Sequence, residues 1–320
     1  MAMPSIEVPS IEVPSIDVTT AYKAAAFAAQ RVPRPVSSTL VKAGATAASL
    51  LAGDRRTIVA RNLNRVSGQV QSPKTTRAGI ARTFSQYGRY YLDSFRLPGL
   101  SAKEIDDGFT YTGYEHITEP LERGVSPILV LPHLGGWEWA AFWLTKVEGH
   151  RVTVVVEALE PPELFDWFKS FRESLGMNVV SAGPEAGPAV IDALAEGHIV
   201  CLLSDRLVGD ASSVTVDFFG ERTKLPAGPA TLSLRTGSPL IPVAVYFDGD
   251  KHYADARPPV PAVREGKFRD DVTRVTQLVA NVFEDFIRNA PEQWHVLQPS
   301  WPSDYRALGR PVPKHFDGLR

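Results

Sequence analysis

From residue 126 onward, short apolar runs typical of buried strands alternate with stretches of helical character. The predicted strands are 128–131, 152–156, 179–181, 199–203 and 240–247, and the helices between them are 137–148, 161–175, 186–196 and 227–236. An amphipathic helix with its apolar positions between Phe268 and Phe286 closes the series. Such alternation requires crossover connections, so we predict an α/β fold with a mostly parallel central sheet flanked by helices.

The amino terminus repeats a five-residue unit, Pro-Ser-Ile-Glu/Asp-Val, three times between residues 4 and 18. Proline at every fifth position prevents a regular helix. We therefore predict a disordered tail over 1–18, which is also a candidate partner-binding strand. The remaining 19–320 has a length suited to a single large domain, helical over 19–100 and α/β over 101–320.

Residues 19–66 and 76–96 have a helical pattern, with a break at Val32-Pro-Arg-Pro35. Ser37 or Ser38 is a candidate N-cap for the helix after the break. Leu40 and Leu50 recur there at helical spacing with alanines between them. This weakly apolar face suits either a membrane surface or packing against the protein core, and the sequence favours neither.

Positive charge is concentrated in this amino-terminal quarter. Residues 20–100 contain 13 Lys and Arg but only two acidic residues, whereas the whole chain has a net charge of −2. Anionic lipid head groups are the partner we favour. Nucleic acid ranks lower because no nucleic-acid-binding motif accompanies the charge, and a solvated surface is the third interpretation.

No apolar run approaches the roughly 20 residues of a spanning helix, and the start lacks the pattern of a signal peptide. We therefore expect a peripheral protein on the cytoplasmic face of the cell membrane.

The best candidate for a catalytic base is His133, which follows the apolar run Ile128–Leu131. Ligands of open α/β sheets bind at the carboxyl ends of strands, where this imidazole is expected. Gly135 and Gly136 allow a tight turn before a helix that carries Glu138. An imidazole beside a carboxylate can be held in one tautomer and act as a general base. The alternative is a hydrogen-bonded loop histidine without a catalytic role.

Two further acidic residues follow predicted strands and should share an edge of the sheet with His133. Glu157 ends the strand 152–156, and Asp205 follows the strand 199–203. A structural ion-pair network is the alternative role for these residues.

One histidine with scattered carboxylates is poor spacing for zinc, so we predict no metal site. The single cysteine, Cys201, lies in an apolar run and is expected to be buried and not to act as a nucleophile.

Several segments in order along residues 55–302 carry a family resemblance. They are His133-x-x-x-x-Glu138, Tyr87-Gly-Arg-Tyr90, Phe95-Arg-Leu-Pro98, Phe171-Arg-Glu-Ser-Leu-Gly176, Asp217-Phe-Phe-Gly220, Pro226-Ala-Gly-Pro-Ala230 and Trp294-His-Val-Leu-Gln-Pro299. The first resembles the HX4D/E motif of glycerolipid and lipid A acyltransferases. The set as a whole is most similar to actinobacterial phosphatidylinositol mannoside acyltransferases.

This resemblance implies transfer of a fatty acyl chain from acyl-CoA, as substrate, to a hydroxyl of a membrane lipid or glycolipid, without a cofactor. His133 would be the base, and either Asp205 or Glu138 would orient it. By resemblance, Asp205 and Arg206 occupy the place of an acidic residue followed by arginine, although the family typically has glutamate there. Arg172 would hold a phosphate or pair with Glu157.

Two other classes of function remain open at this stage. A non-catalytic lipid-binding or lipid-transfer protein would bind lipid without consuming a thioester. An acyl-CoA thioesterase or esterase would release free CoA without a lipid acceptor. The sequence does not identify the acceptor hydroxyl or the acyl chain length.

Overall fold

The computed structural model describes residues 17–157, 161–209 and 211–319. The predicted disordered tail therefore lies almost entirely outside the described residues and stays a prediction. At its end, Asp17 caps the first helix, which begins at Val18, by accepting a hydrogen bond from the Thr20 backbone N–H at 3.1 Å. The helical region thus starts one residue before the predicted boundary.

A seven-stranded sheet forms the centre of the fold, in the order β1-β9-β8-β2-β5-β3-β4. A separate hairpin, β6 and β7, is antiparallel. Within the large sheet only β8 and β9 pair antiparallel, so the predicted mostly parallel sheet is confirmed. The strands are β1 (Phe109–Thr112), β2 (Ile128–Leu131), β3 (Val152–Val156), β4 (Met177–Ser181), β5 (Ile199–Leu203), β6 (Ser213–Phe218), β7 (Glu221–Pro226), β8 (Leu240–Asp248) and β9 (Lys251–Ala256).

Helices precede the sheet and cover both of its faces. They are α1 (Val18–Arg31), α2 (Arg34–Leu51), α3 (Gly53–Ser67), α4 (Pro73–Arg96), α5 (Ala102–Asp107), α6 (Glu115–Glu122), α7 (Trp137–Lys146), α8 (Pro162–Ser174), α9 (Ala186–Ala195), α10 (Gly228–Thr236), α11 (Phe268–Asn289) and α12 (Pro302–Ala307). Short 3-10 segments occupy Leu97–Gly99, Pro291–Gln293 and Lys314–Phe316. One large apolar core includes residues of α4, α7 and α8, and a second includes residues of α9, α10 and α11. A smaller third cluster joins α3 to α4.

The predicted serine cap of α2 is wrong. The helix begins at Arg34, before both serines, and its N-cap position is Pro33, which forms no side-chain cap. Proline at the second helical position fixes a backbone angle that suits the first turn, so α2 can start before Ser37. The Ser37 hydroxyl instead donates to the Pro33 or Arg34 carbonyl group within that turn.

Strand register brings three candidate segments to one edge of the sheet. In β2 and β5, Leu131 lies opposite Leu203, and in β3 and β5, Val154 lies opposite Cys201. Because these pairings are parallel, the residues that follow β2, β3 and β5 leave the sheet at the same edge. His133, Glu157 and Asp205 are all in these segments, as the strand predictions required.

None of the helices in the described part of the chain combines the length and the apolar character needed to cross a bilayer.

Candidate active site

The turn after β2 positions His133, and it requires glycine. Gly135 has a φ of +56°. A β-carbon there would lie 2.0 Å from the Val245 carbonyl oxygen, so both the conformation and the space exclude a side chain. Gly136 is also tightly enclosed, because a β-carbon would lie 2.5 Å from the His252 ring. The turn therefore passes close to β8 and β9 and delivers the chain directly into α7.

His133 and Asp205 form a hydrogen-bonded pair. The imidazole Nδ1 lies 2.5 Å from Asp205 Oδ1, and the His133 backbone N–H donates to Asp205 Oδ2 at 2.9 Å. The Asp205 side chain is fully buried, whereas 23% of the His133 side chain is exposed. This arrangement leaves the His133 Nε2 on the far side of the ring from the carboxylate. It is the geometry of a general base held in one tautomer.

Asp205 is held as a carboxylate despite its burial. Burial alone would raise its pKa, but the charge of His133 and the hydrogen bonds from His133 and Trp294 outweigh that effect and hold the pKa below the ordinary value of 3.8. A carboxylate that stays ionised can stabilise an imidazolium formed when His133 accepts a proton.

The segment Trp294–His295 also contacts the pair, which the sequence did not predict. The Trp294 indole N–H donates to Asp205 Oδ2 at 2.7 Å. The His295 backbone N–H donates to the His133 carbonyl group at 2.8 Å, and its Nε2 donates to the Gly135 carbonyl group at 3.1 Å. Trp294 is buried, but its polar atom faces the site. A buried indole N–H usually finds an acceptor, so the tryptophan itself was the sequence signal that a polar partner lies nearby.

Glu138 does not contact His133; the structure places it against Arg172. The Arg172 Nε and Nη2 atoms donate to Glu138 Oε1 at 2.9 and 2.6 Å, and both side chains are nearly buried. Glu138 lies in the first turn of α7 and Arg172 near the end of α8, so the pair joins these two helices. The expectation that Arg172 pairs with Glu157 is also corrected by this contact. The Arg172 guanidinium lies 5.5 Å from the centre of the Trp137 ring.

Replacing Glu138 by alanine should destabilise the fold, because it leaves the buried Arg172 charge without its carboxylate partner. Breaking a buried pair in this way typically costs about 3–5 kcal/mol. We expect urea denaturation to show a loss of that order for Glu138→Ala and a smaller loss for the double variant Glu138→Leu/Arg172→Met. The exposed Glu173, which pairs with Lys169 at 3.9 Å, is the control; Glu173→Ala should cost less than about 0.5 kcal/mol. Equal losses for the two alanine variants would contradict this account.

Glu157 and Arg206 form the third polar contact at this edge. Arg206 Nη2 donates to Glu157 Oε2 at 2.8 Å, and Nη1 donates to Gln298 Oε1 at 3.4 Å. The Glu157 side chain is 39% exposed, so this pair faces solvent more than the Glu138–Arg172 pair does. The predicted site residues thus form three separate pairs.

An apolar cavity lies between α7 and the face of the sheet. The empty space between its lining residues is about 510 Å³ when the part open to solvent is included. Leu129 and Leu131 of β2, Trp137 and Trp143 of α7, and Val243 of β8 are among its lining residues. Leu131 is two residues before His133, so the cavity wall includes the strand that leads to the imidazole.

The sole cysteine lines the same cavity. Cys201 is buried, as predicted, and burial raises the pKa of its thiol to about 12. The thiol therefore stays protonated at neutral pH and is a poor nucleophile. In residues 17–157, 161–209 and 211–319, His, Cys, Asp and Glu side chains form no group of three or more suited to a metal ion.

Comparisons with known proteins identify the family to which the chain belongs. The family model described as bacterial lipid A biosynthesis acyltransferase matches residues 6–303. A phosphatidylinositol mannoside acyltransferase of Mycolicibacterium smegmatis is 34% identical over 277 residues, which cover 85% of this chain and 88% of the relative. Another protein of that name, from Mycobacterium tuberculosis, is 34% identical over 76% of each chain. A lipid A biosynthesis acyltransferase of Haemophilus influenzae is 23% identical over 61% of this chain and 59% of its own length. The chain therefore belongs to the bacterial lipid A biosynthesis acyltransferase family.

Proposed function

We propose that this acyltransferase moves a fatty acyl chain from acyl-CoA to a hydroxyl of a membrane glycolipid of the phosphatidylinositol mannoside type. The observation that carries the proposal is the partly exposed His133 imidazole, fixed by a buried carboxylate at the end of a strand that lines an apolar cavity. The names of the 34% identical relatives support this acceptor class.

The reaction needs a base and donors for an oxyanion, but no covalent acyl-enzyme. In the proposed mechanism, His133 Nε2 removes the proton from the acceptor hydroxyl as its oxygen attacks the thioester carbonyl carbon. Asp205 stabilises the resulting imidazolium. The tetrahedral intermediate then collapses, the C–S bond breaks, and the imidazolium returns its proton to the CoA sulfur. The backbone N–H groups of Trp137 and Glu138, at the first two positions of α7, are candidate donors for the oxyanion close in sequence to His133. The Trp139 N–H already donates to the Gly136 carbonyl group.

Substrate groups are assigned to the remaining features by their chemistry. The cavity between α7 and the sheet suits the hydrocarbon chain, because its lining is mainly apolar. Glu157 and Arg206 suit the acceptor head group, since a partly exposed carboxylate can accept hydrogen bonds from sugar hydroxyls and a guanidinium can bind phosphate. We propose that Arg172 acts with Glu138 to hold α7 and α8 around the site.

Peripheral binding to the cytoplasmic face of the membrane is part of the proposal. Leu40 and Leu50 of α2 are 64% and 66% exposed, so this face does not pack on the core. Leu51, the last residue of α2, and Phe27 of α1 are also exposed. Exposed basic residues accompany this apolar surface: Lys23, Arg31, Lys42 and Arg55. Apolar side chains that enter the acyl boundary, together with cations at the head-group level, favour an anionic membrane.

Charge substitutions on α2 should weaken membrane binding. We expect Leu40→Asp/Leu50→Asp to reduce partition onto vesicles of phosphatidylcholine with anionic phosphatidylglycerol at least about 10-fold, since each buried leucine contributes about 1.5–3 kcal/mol. Sedimentation of vesicles measures the bound fraction. The control is Val263→Asp, because Val263 is exposed in a loop outside these helices. Equal binding by wild type and the α2 variant would exclude α2 as the contact.

Release of free CoA tests the reaction class. With palmitoyl-CoA, we expect release to depend on an added mannosylated phosphatidylinositol acceptor. Release at the same rate without acceptor would identify a thioesterase, and binding of lipid without any release would identify a lipid-binding protein. Either result would contradict the proposed function.

A further inference from the structure

We infer that Trp294 is a positioning residue of the His133–Asp205 pair, acting through its indole N–H on the carboxylate that holds the imidazole. This inference rests on the proposed function, because it assigns a role within the proposed base. It extends that function to a residue with no predicted part in the chemistry.

The hydrogen bonds of Asp205 show what Trp294 contributes. Oδ1 contacts the His133 ring, while Oδ2 accepts both the His133 backbone N–H at 2.9 Å and the Trp294 indole N–H at 2.7 Å. The side chain is fully buried, so no bulk water can replace a lost donor. The two donors on Oδ2 come from different segments and fix the carboxylate plane. Oδ1 is thereby directed at the imidazole.

Trp294 is itself held in place by aromatic packing. Its ring meets Phe218 and Trp301 edge to face, with centroid distances of 6.2 and 6.3 Å. Its backbone forms an antiparallel bridge with Leu134, the residue after His133. The indole therefore reaches Asp205 from a rigid support that is tied to the catalytic turn at a second point.

Losing this donor should affect the chemical step and its pH dependence. Without it the carboxylate charge is less dispersed and holds the imidazolium more strongly. The carboxylate plane is also fixed by one donor fewer, so the imidazole is positioned less precisely for the chemical step. The pair would then retain its proton to higher pH. The other titratable groups nearby should not mask this change: burial lowers the pKa of His295 to about 3, and Arg206 is paired with Glu157.

The test compares Trp294→Phe with Trp301→Phe. Trp301 is a matched control for the packing contribution, because it is fully buried against the Trp294 ring and its indole nitrogen has no hydrogen-bond partner among the described residues. Trp301→Phe keeps an aromatic ring at this position and leaves the Trp294 N–H in place. For Trp294→Phe we expect kcat to fall about 10- to 100-fold with KM within about two-fold of wild type, and the acidic limb of the kcat/KM profile to move up by about one pH unit. Trp301→Phe should keep the wild-type limb and turnover within about two-fold.

A variant that preserves the shape of the side chain removes folding as an explanation. Site-specific replacement of Trp294 by 3-benzothienylalanine keeps the bicyclic ring but has sulfur in place of N–H, and it should reproduce the kinetic change. In protein labelled with ¹⁵N-histidine, the downfield proton resonance of His133 Nδ1–H should also move in this variant and not in Trp301→Phe. An unchanged pH limb and resonance would overturn the inference. The resonance can be recorded without turnover, so it tests the role of Trp294 even if the proposed function is wrong. Failure of the proposed function would instead appear as a wild-type protein that transfers no acyl chain.

Discussion

Replacing His133 by asparagine is expected to reduce acyl transfer about 10²- to 10⁴-fold, the range contributed by a general base. The asparagine side-chain amide can still donate a hydrogen bond to Asp205, so the buried carboxylate keeps a partner. The basic nitrogen is removed, and nothing else in the described contacts replaces it. Transfer is measured as acceptor-dependent release of CoA, and folding by circular dichroism and thermal denaturation.

The matched control for this variant is His198→Gln. His198 precedes β5, at the opposite end of that strand from Asp205, and its ring contacts Thr153 at 2.8 Å. We expect this variant to transfer at the wild-type rate. His133→Ala should be inactive as well, although it leaves Asp205 without its ring partner and is expected to be less stable than His133→Asn. Full activity in a folded His133→Asn protein would exclude His133 as the base.

Replacing Asp205 by asparagine is expected to lower kcat about 10³-fold while leaving KM little changed. An amide nitrogen cannot accept the hydrogen bonds that the carboxylate accepts from His133 and Trp294, and a neutral group does not stabilise the imidazolium. The variant should also be less stable at pH 7. Because the pKa of Asp205 lies below 3.8 in the folded protein, the stabilisation from its ionised form is present above that pH and lost as the pH falls through the folded value.

The Asp304→Asn variant distinguishes a loss of catalysis from the loss of stability expected when any buried aspartate is replaced. Asp304 is also fully buried, but its carboxylate accepts hydrogen bonds from Arg61 and Arg65. This variant should lose stability yet keep turnover within about two-fold at temperatures where it remains folded. If Asp205→Asn and Asp304→Asn lost activity to the same degree, the role of Asp205 would be structural.

The central strands were predictable because each is a buried apolar run. For example, β2 and β5 have the predicted limits, since nearly all of their side chains face one of the two large cores. By contrast, β1 has only one buried residue, and β9 begins with Lys251 and contains His252 and Asp255. Such sequences do not show the periodicity of a strand until neighbouring strands determine which side chains are buried.

The partners within the site were harder to predict than its location. His133, Glu157 and Asp205 follow neighbouring strands, so their common edge follows from the alternation of strands and helices. The choice between Asp205 and Glu138 as the contact of His133 depended on the direction of each side chain, and the start of α7 directs Glu138 towards Arg172 on α8. Trp294 reaches Asp205 from 89 residues away along the chain. No local pattern encodes a contact of that separation.

Mass spectrometry of the acceptor lipid tests the central claim most directly. Wild-type protein incubated with palmitoyl-CoA and a mannosylated phosphatidylinositol should yield a lipid heavier by one ester-linked palmitoyl group, with one CoA released per product, and His133→Asn should yield almost none. An acceptor of unchanged mass in the wild-type reaction, or equal product from wild type and a folded His133→Asn, would contradict base-catalysed transfer at His133.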